Sequence, residues 1–158
     1  MQLYRRYLYL LFLALTFLAY NCKNDDDDDN DDNPPPSMDA LIDLTEWSSV
    51  QREGLLTGGV FIITGMSEQG DIIEVVFMGD TVGTYKMDTI HTDFTGAYKP
   101  DSNATGLDTY VSSSGIGEIN KINSSERKIS GTFSFIAAKD SLTKEITNGT
   151  FVNIEYTE

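Results

Sequence analysis

Residues 128–137 read KISGTFSFIA, and this run constrains the fold more than any other stretch. Ile129, Gly131, Phe133, Phe135 and Ala137 share one parity, while Ser130, Thr132 and Ser134 share the other. A period of two sends these sets to opposite faces of a strand. One face is then buried and the other wet, as in an antiparallel sheet with a single covered side.

The rest of the chain after Ser37 speaks the same way. No window there sustains a helical period over three turns. Short apolar or alternating runs are separated instead by Gly, Asn, Asp and Ser. Ala40–Trp47 reads as the opening strand, with Ala40, Ile42 and Leu44 in phase, and residues 48–54 as a polar edge strand. VFIIT (60–64) and IIEVVF (72–77) are apolar on both parities, which predicts a central hairpin covered on both sides or nearly so. Strands are predicted over 82–87 and 92–98, with a loop from Lys99 to Gly106. Asp108–Ser112 and Gly117–Ile122 read as two short strands around a flexible SSSGIG segment. The last strand is expected over 144–157, kinked at Asn148-Gly149, with Val152, Ile154 and Tyr156 facing inward.

A phrase of glycine, small residue and aromatic recurs at Gly83-Thr84-Tyr85, Gly96-Ala97-Tyr98, Gly131-Thr132-Phe133 and Gly149-Thr150-Phe151. A glycine beside a large ring marks a bend or a close approach, which implies a strongly curved sheet. The fold class expected is all-β. It is a single antiparallel meander of about eight to ten strands, forming a β-sandwich or a flattened up-and-down barrel.

Charge narrows the partners. The formal net charge is −14. The first 36 residues hold seven acids and three bases; residues 37–158 hold 18 acids and 8 bases. An acidic domain repels phosphate backbones and anionic lipid, so nucleic acid is not an expected partner. Cys22 is the sole cysteine, which leaves no intramolecular disulfide and no multi-thiolate metal site.

The N-terminal segment supplies an address. Met1–Tyr7 carries Arg5 and Arg6, and Leu8–Tyr20 is almost unbroken apolar sequence. A helix of that length rises about 20 Å, against a hydrocarbon core of roughly 30 Å, which is short for a span. A basic start and a short apolar core define a secretory signal peptide over residues 1–21; the alternative is a short anchor helix. Its end, Leu18-Ala19-Tyr20-Asn21-Cys22, resembles a bacterial lipobox, and Asn21 departs from the small residue usual before the cysteine. Lipidation of Cys22 would also account for the lone thiol. Lys23 and the run Asp25, Asp26, Asp27, Asp28 and Asp29 follow. Like charges in a row stay extended and solvated, so the run reads as a tether. It also resembles the acidic export signal of Bacteroidetes surface lipoproteins, which implies an outer-membrane lipoprotein exposed at the cell surface. The alternative is the periplasmic face. Pro34-Pro35-Pro36 stiffens the end of the tether, so residues 22–36 form the tether and 37–158 a single all-β domain.

VGTY (82–85), the Gly117–Asn123 strand, KISGTFSFIA (128–137) and ITNGTFVNIEY (146–156) resemble a family of small Bacteroidetes lipoproteins classed as a domain of unknown function. The resemblance covers most of Leu41–Tyr156. It implies a signal, a lipobox and one β domain, and it implies no activity.

Catalytic chemistry finds little to use. His91 is the only histidine, so a nucleophile–base pair has few options. No cofactor is expected. A surface calcium on Asp101, Asn103 and Asp108 is the one metal arrangement the loops suggest. Trp47, Tyr85, Phe94, Tyr98 and Tyr110 are candidates for a sugar-stacking platform, against the alternative that they fill the core. Asp80-Thr81-Val82, Asp88-Thr89-Ile90 and Asp140-Ser141-Leu142 resemble O-glycosylation acceptors of exported Bacteroidetes proteins, which makes Thr81, Thr89 and Ser141 candidate modification sites. The function expected is non-enzymatic binding or display at the envelope, toward a glycan or a protein. The alternative is a lipocalin-like carrier of a small apolar ligand.

Overall fold

The computed structural model describes residues 34–103 and 108–158. Residues 1–21, read above as a signal peptide, and Cys22, Lys23 and Asp25–Asp29 lie outside the described residues. Among the described residues the chain forms nine strands: β1 (Ser37–Ile42), β2 (Thr45–Thr57), β3 (Val60–Ser67), β4 (Ile72–Phe77), β5 (Gly83–Met87), β6 (Phe94–Lys99), β7 (Tyr110–Asn123), β8 (Lys128–Lys139) and β9 (Leu142–Thr157).

Eight of these close a barrel. Hydrogen bonding runs β7-β6-β4-β3-β2-β1-β9-β8, and β8 pairs back onto β7. Two short strands fit where the long ones diverge. β1 lies between β2 and β9 at one end, pairing antiparallel with both. Beyond its start β2 and β9 meet directly and in parallel, at Gly54↔Tyr156 and Leu55↔Thr157. β6 meets β7 at only two positions, and β5 pairs with β7 further along the same edge. There the Ser112 hydroxyl accepts the Gly96 N–H at 3.0 Å, so the opening seam leaves that donor satisfied.

The interior is filled with rings and branched aliphatics. Phe61, Phe77, Phe94, Phe151, Met38, Ile63, Ile73, Ile119, Ile129, Ile146, Ile154 and Val75 are fully buried. The glycine-aromatic phrase explains how so many rings fit. Gly131 pairs with Phe151, and Gly149 with Phe133, in the β8–β9 ladder. A Cβ on Gly149 would sit 2.4 Å from the Phe133 ring, and one on Gly131 would sit 2.4 Å from Phe151 Cζ. Each phrase thus supplies both a ring and the space for its partner's ring, and the two rings lie 6.5 Å apart and nearly parallel.

Two bulges bend β9 around this core. Thr147 and Asn148 together oppose Ser134, and Val152 and Asn153 together oppose Ser130. Asn148 and Asn153 take positive φ of 51° and 49°, a conformation asparagine tolerates better than most residues. The kink expected at Asn148-Gly149 is present. The second bulge shifts the phase: Phe151, Ile154 and Tyr156 face inward, while Val152, expected inside, is half-exposed.

Four further expectations are corrected. Ala40–Trp47 is not one strand. Asp43 and Leu44 form a two-residue hairpin turn with φ of 49° and 66°, leaving Leu44 82% exposed and out of the core. Residues 48–54 lie in β2, flanked by strands on both sides rather than at an edge. The β3–β4 hairpin is covered on one side only, since its residues alternate between buried and half-exposed. The SSSGIG segment is continuous strand within β7, held between β8 and β5.

Candidate functional site

In an up-and-down barrel alternate connections share an end. The β1–β2 turn, the β3–β4 turn, the β6–β7 loop and the β8–β9 turn therefore gather at the end toward which β1 runs. A cleft of about 590 Å³ opens there, lined by Ile42, Asp43, Thr45, Glu46, Trp47, Ser48, Gln69, Asp71, Tyr98, Pro100 and Lys144. Its size falls within the usual range of ligand sites.

Trp47 and Tyr98 are nearly buried and form the floor. The Trp47 Nε1 donor is buried and has no hydrogen-bond partner among the described residues. A buried donor left unpaired costs about 1–3 kcal/mol. The Tyr98 hydroxyl reaches Asp71 Oδ2 at 3.5 Å. Burial, and then the Asp71 charge, push the Tyr98 phenol up to about 12, so it stays a donor. Asp71 Oδ1 accepts the Ser67 hydroxyl. Its Oδ2, with only the long Tyr98 contact, keeps acceptor capacity.

The rim is charged but partly neutralised. Lys144 Nζ lies 2.6 Å from Asp43 Oδ2, and the Glu145 N–H donates to Asp43 Oδ1 at 3.0 Å. The Glu145 N–H, and then Lys144, hold the Asp43 carboxyl below its ordinary value; the same pair raises Lys144. Asp43 is therefore engaged in holding the turn. Glu46 and Gln69 are exposed, and their side chains make no hydrogen bond or ion pair among the described residues.

The sequence candidates fall as follows. Trp47, Tyr85, Phe94 and Tyr98 are buried, because each sits on the inward parity of its strand. Tyr110 is half-buried, its ring tilted 47° to that of Tyr98 at 6.0 Å. They form no flat exposed platform, and Trp47 and Tyr98 alone line the cleft. Thr81, Thr89 and Ser141 are all exposed. Thr81 O accepts the Tyr85 hydroxyl at 2.7 Å. Thr89 lies in a turn that Asp88 caps through the N–H groups of Ile90 and His91 at 2.7 and 2.8 Å. Those two N–H groups, and then the His91 ring, pull the Asp88 carboxyl from 3.8 to about 2.

The residues suggested for calcium are each engaged with protein partners. Asp101 accepts from Asn103 N and Nδ2, at 2.8 and 3.1 Å. Asp108 pairs with Lys139 at 2.9 Å. Among the described residues no group of three His, Cys, Asp or Glu is placed to hold a metal. Glu46, Gln69, Asp71 and Lys144 had not been singled out from the sequence. Their common signal is position, since each sits beside a connection at the same barrel end.

These features define an eight-stranded, largely antiparallel β-barrel with one added strand, a filled interior and a cleft of mixed polar and apolar lining at one end. The model of the domain of unknown function DUF6252 matches residues 34–155, and the chain belongs to that family. No curated protein and no solved structure matches it.

Proposed function

We propose that this protein is a bacterial lipoprotein, anchored through Cys22 and exposed at the cell surface, whose barrel binds an envelope partner without catalysing a reaction. The observation that carries this reading is the cleft end. β1 starts at Ser37, directly after Pro34–Pro36, and runs toward the cleft. Asn153 Nδ2 holds Pro34 O at 2.6 Å, fixing where a tether would join the barrel. The cleft lies at the other end of β1 from that entry point.

The packed interior favours surface binding over the carrier alternative, because rings occupy the space an apolar ligand would need. The one histidine belongs to the Asp88 turn and does not line the cleft, which favours binding over acid–base chemistry.

The test is site-specific photo-crosslinking of the full-length chain in native-host cells. A crosslinker at exposed Ser48, on the cleft, is expected to trap an envelope component. One at exposed Glu126, in the β7–β8 turn at the other end, is expected to trap none. Equal yields from both positions, or none from Ser48, would contradict the reading.

A further inference from the structure

We infer that the outer face of β3 and β4 docks a second copy of this chain, related by a two-fold axis that runs along the strands between β3 and β4. This goes beyond the binding reading above and stands whatever the cleft holds. It begins with the side of the β3–β4 hairpin that points away from the core. Val60, Ile62, Met66, Ile72 and Val76 all lie there, half-exposed. β8 instead carries Ser130, Thr132 and Ser134 on its outer side, with Ile136 the one large apolar residue among them. The wet face of an antiparallel sheet is ordinarily polar, so a contiguous apolar outer face marks an interaction surface.

The register shows what fits it. Three outward rows cross β2, β3, β4 and β6. In the first, Ile62 and Val76 form the middle pair between Leu55 and Thr95. In the second, Thr64 and Glu74 lie between Glu53 and Ala97. In the third, Met66 and Ile72 lie between Gln51 and Lys99. A half-turn about an axis along the strands sets each row against itself in reverse order. Ile62 then meets the second copy's Val76, and Met66 meets its Ile72. The Thr64 hydroxyl donates to the second copy's Glu74, a carboxylate with no ion-pair partner among the described residues. At the margins Glu53 faces Ala97 and Gln51 faces Lys99, so no like charges oppose each other.

The alternatives fail on charge. A half-turn about an axis across the strands would set Glu53 on Glu53 and Glu74 on Glu74. An anionic lipid surface would meet the same carboxylates. The axis along the strands also points both barrels the same way, so both chains enter at Pro34 from one direction. The three rows hold twelve side chains, against about 20–30 a side in a standard interface, so the pair is weak and forms where copies are concentrated.

The test places a photo-crosslinker at Thr64 of the full-length chain, in native-host cells that also carry a second copy with a different epitope tag. A product of twice the chain's mass bearing both tags is expected, with the link mapped by mass spectrometry to β4 of the second copy. A crosslinker at exposed Thr132, on the outer side of β8, is expected to give none. Ile62→Thr keeps a β-branched residue at an outward position, removes the apolar contact twice in each pair and is expected to lower the yield about tenfold. Ile136→Thr, outward on β8, is expected to leave it unchanged. No two-tag product from Thr64, a Thr64 link only to another protein, or equal two-tag yields from Thr64 and Thr132 would overturn the inference. So would a Thr64 yield that Ile62→Thr leaves unchanged. A two-tag product from Thr64 in cells where Ser48 traps nothing would keep the pair and sink the cleft reading.

Discussion

The reciprocal glycine–phenylalanine pairs make a prediction that separates two otherwise similar sites. Gly149→Ala adds a Cβ whose three nearest neighbours are all atoms of the Phe133 ring, at 2.4–2.6 Å. That ring is 3% exposed and packed against Phe151 and Phe135, so it has little room to retreat. Overpacking of this kind costs about 1–3 kcal/mol. Alanine recovers at most about 1 kcal/mol through the unfolded chain. A net loss of about 2 kcal/mol is expected. Gly131→Ala differs, because its Cβ would lie 2.1 Å from the Glu118 carbonyl oxygen as well as against Phe151. A backbone atom of β7 cannot be trimmed away, so the expected loss is about 3 kcal/mol.

Second-site changes test the distinction. Phe133→Leu in the Gly149→Ala background should make room, giving a favourable coupling of about 1–2 kcal/mol in a double-mutant cycle. Phe151→Leu should not rescue Gly131→Ala to the same degree. Urea denaturation reads both cycles, since about 2 kcal/mol corresponds to roughly 1 M in the midpoint at an ordinary slope. A Gly149→Ala loss under about 0.5 kcal/mol, or a 133/149 cycle additive to that precision, would refute the packing argument.

Three other outcomes follow from single residues. Asn153→Val places a β-branched residue at φ 49° and removes the side-chain hydrogen bonds with the Ser130 hydroxyl and the Pro34 carbonyl. It should cost about 2–4 kcal/mol in the same assay, and Asn153→Gly about 1 kcal/mol less. The Asp88 carboxyl is depressed on folding, so its support of the 88–93 turn is complete above pH 3.8 and lost as pH falls through about 2. An NMR titration of that carboxyl should show the low midpoint, and a midpoint near 3.8 would contradict it. Intact-mass measurement of native-host protein should show added glycan at exposed Thr81, Thr89 and Ser141, each lost on substitution by alanine; an unmodified mass rejects these sites.

Much of the fold was legible because parity survives in single strands. The alternation of residues 128–137 maps onto β8 without error, with Ile129, Gly131, Phe133, Phe135 and Ala137 all buried. The failures are equally physical. Asp43-Leu44 carries no glycine or asparagine to announce a turn with two positive φ angles. Two-sided apolar strands such as β3 suggested cover on both faces, yet their outer residues remain half-exposed. SSSGIG looked loose because small residues pack little of their own surface, whereas its order comes from two neighbouring strands. Parity also told which aromatics share a face, but not whether that face is core or platform. Barrel closure decides that, and closure likewise brings the cleft residues together from four connections far apart in sequence.

Fractionation of native-host cells carrying the full-length chain or Cys22→Ala tests the anchored-display claim most directly. The wild-type chain is expected in the outer-membrane fraction and open to protease added to intact cells, while Cys22→Ala is expected in the soluble fraction. A Cys22→Ala protein that stays with the membrane, or a wild-type chain shielded from protease in intact cells, would contradict the account.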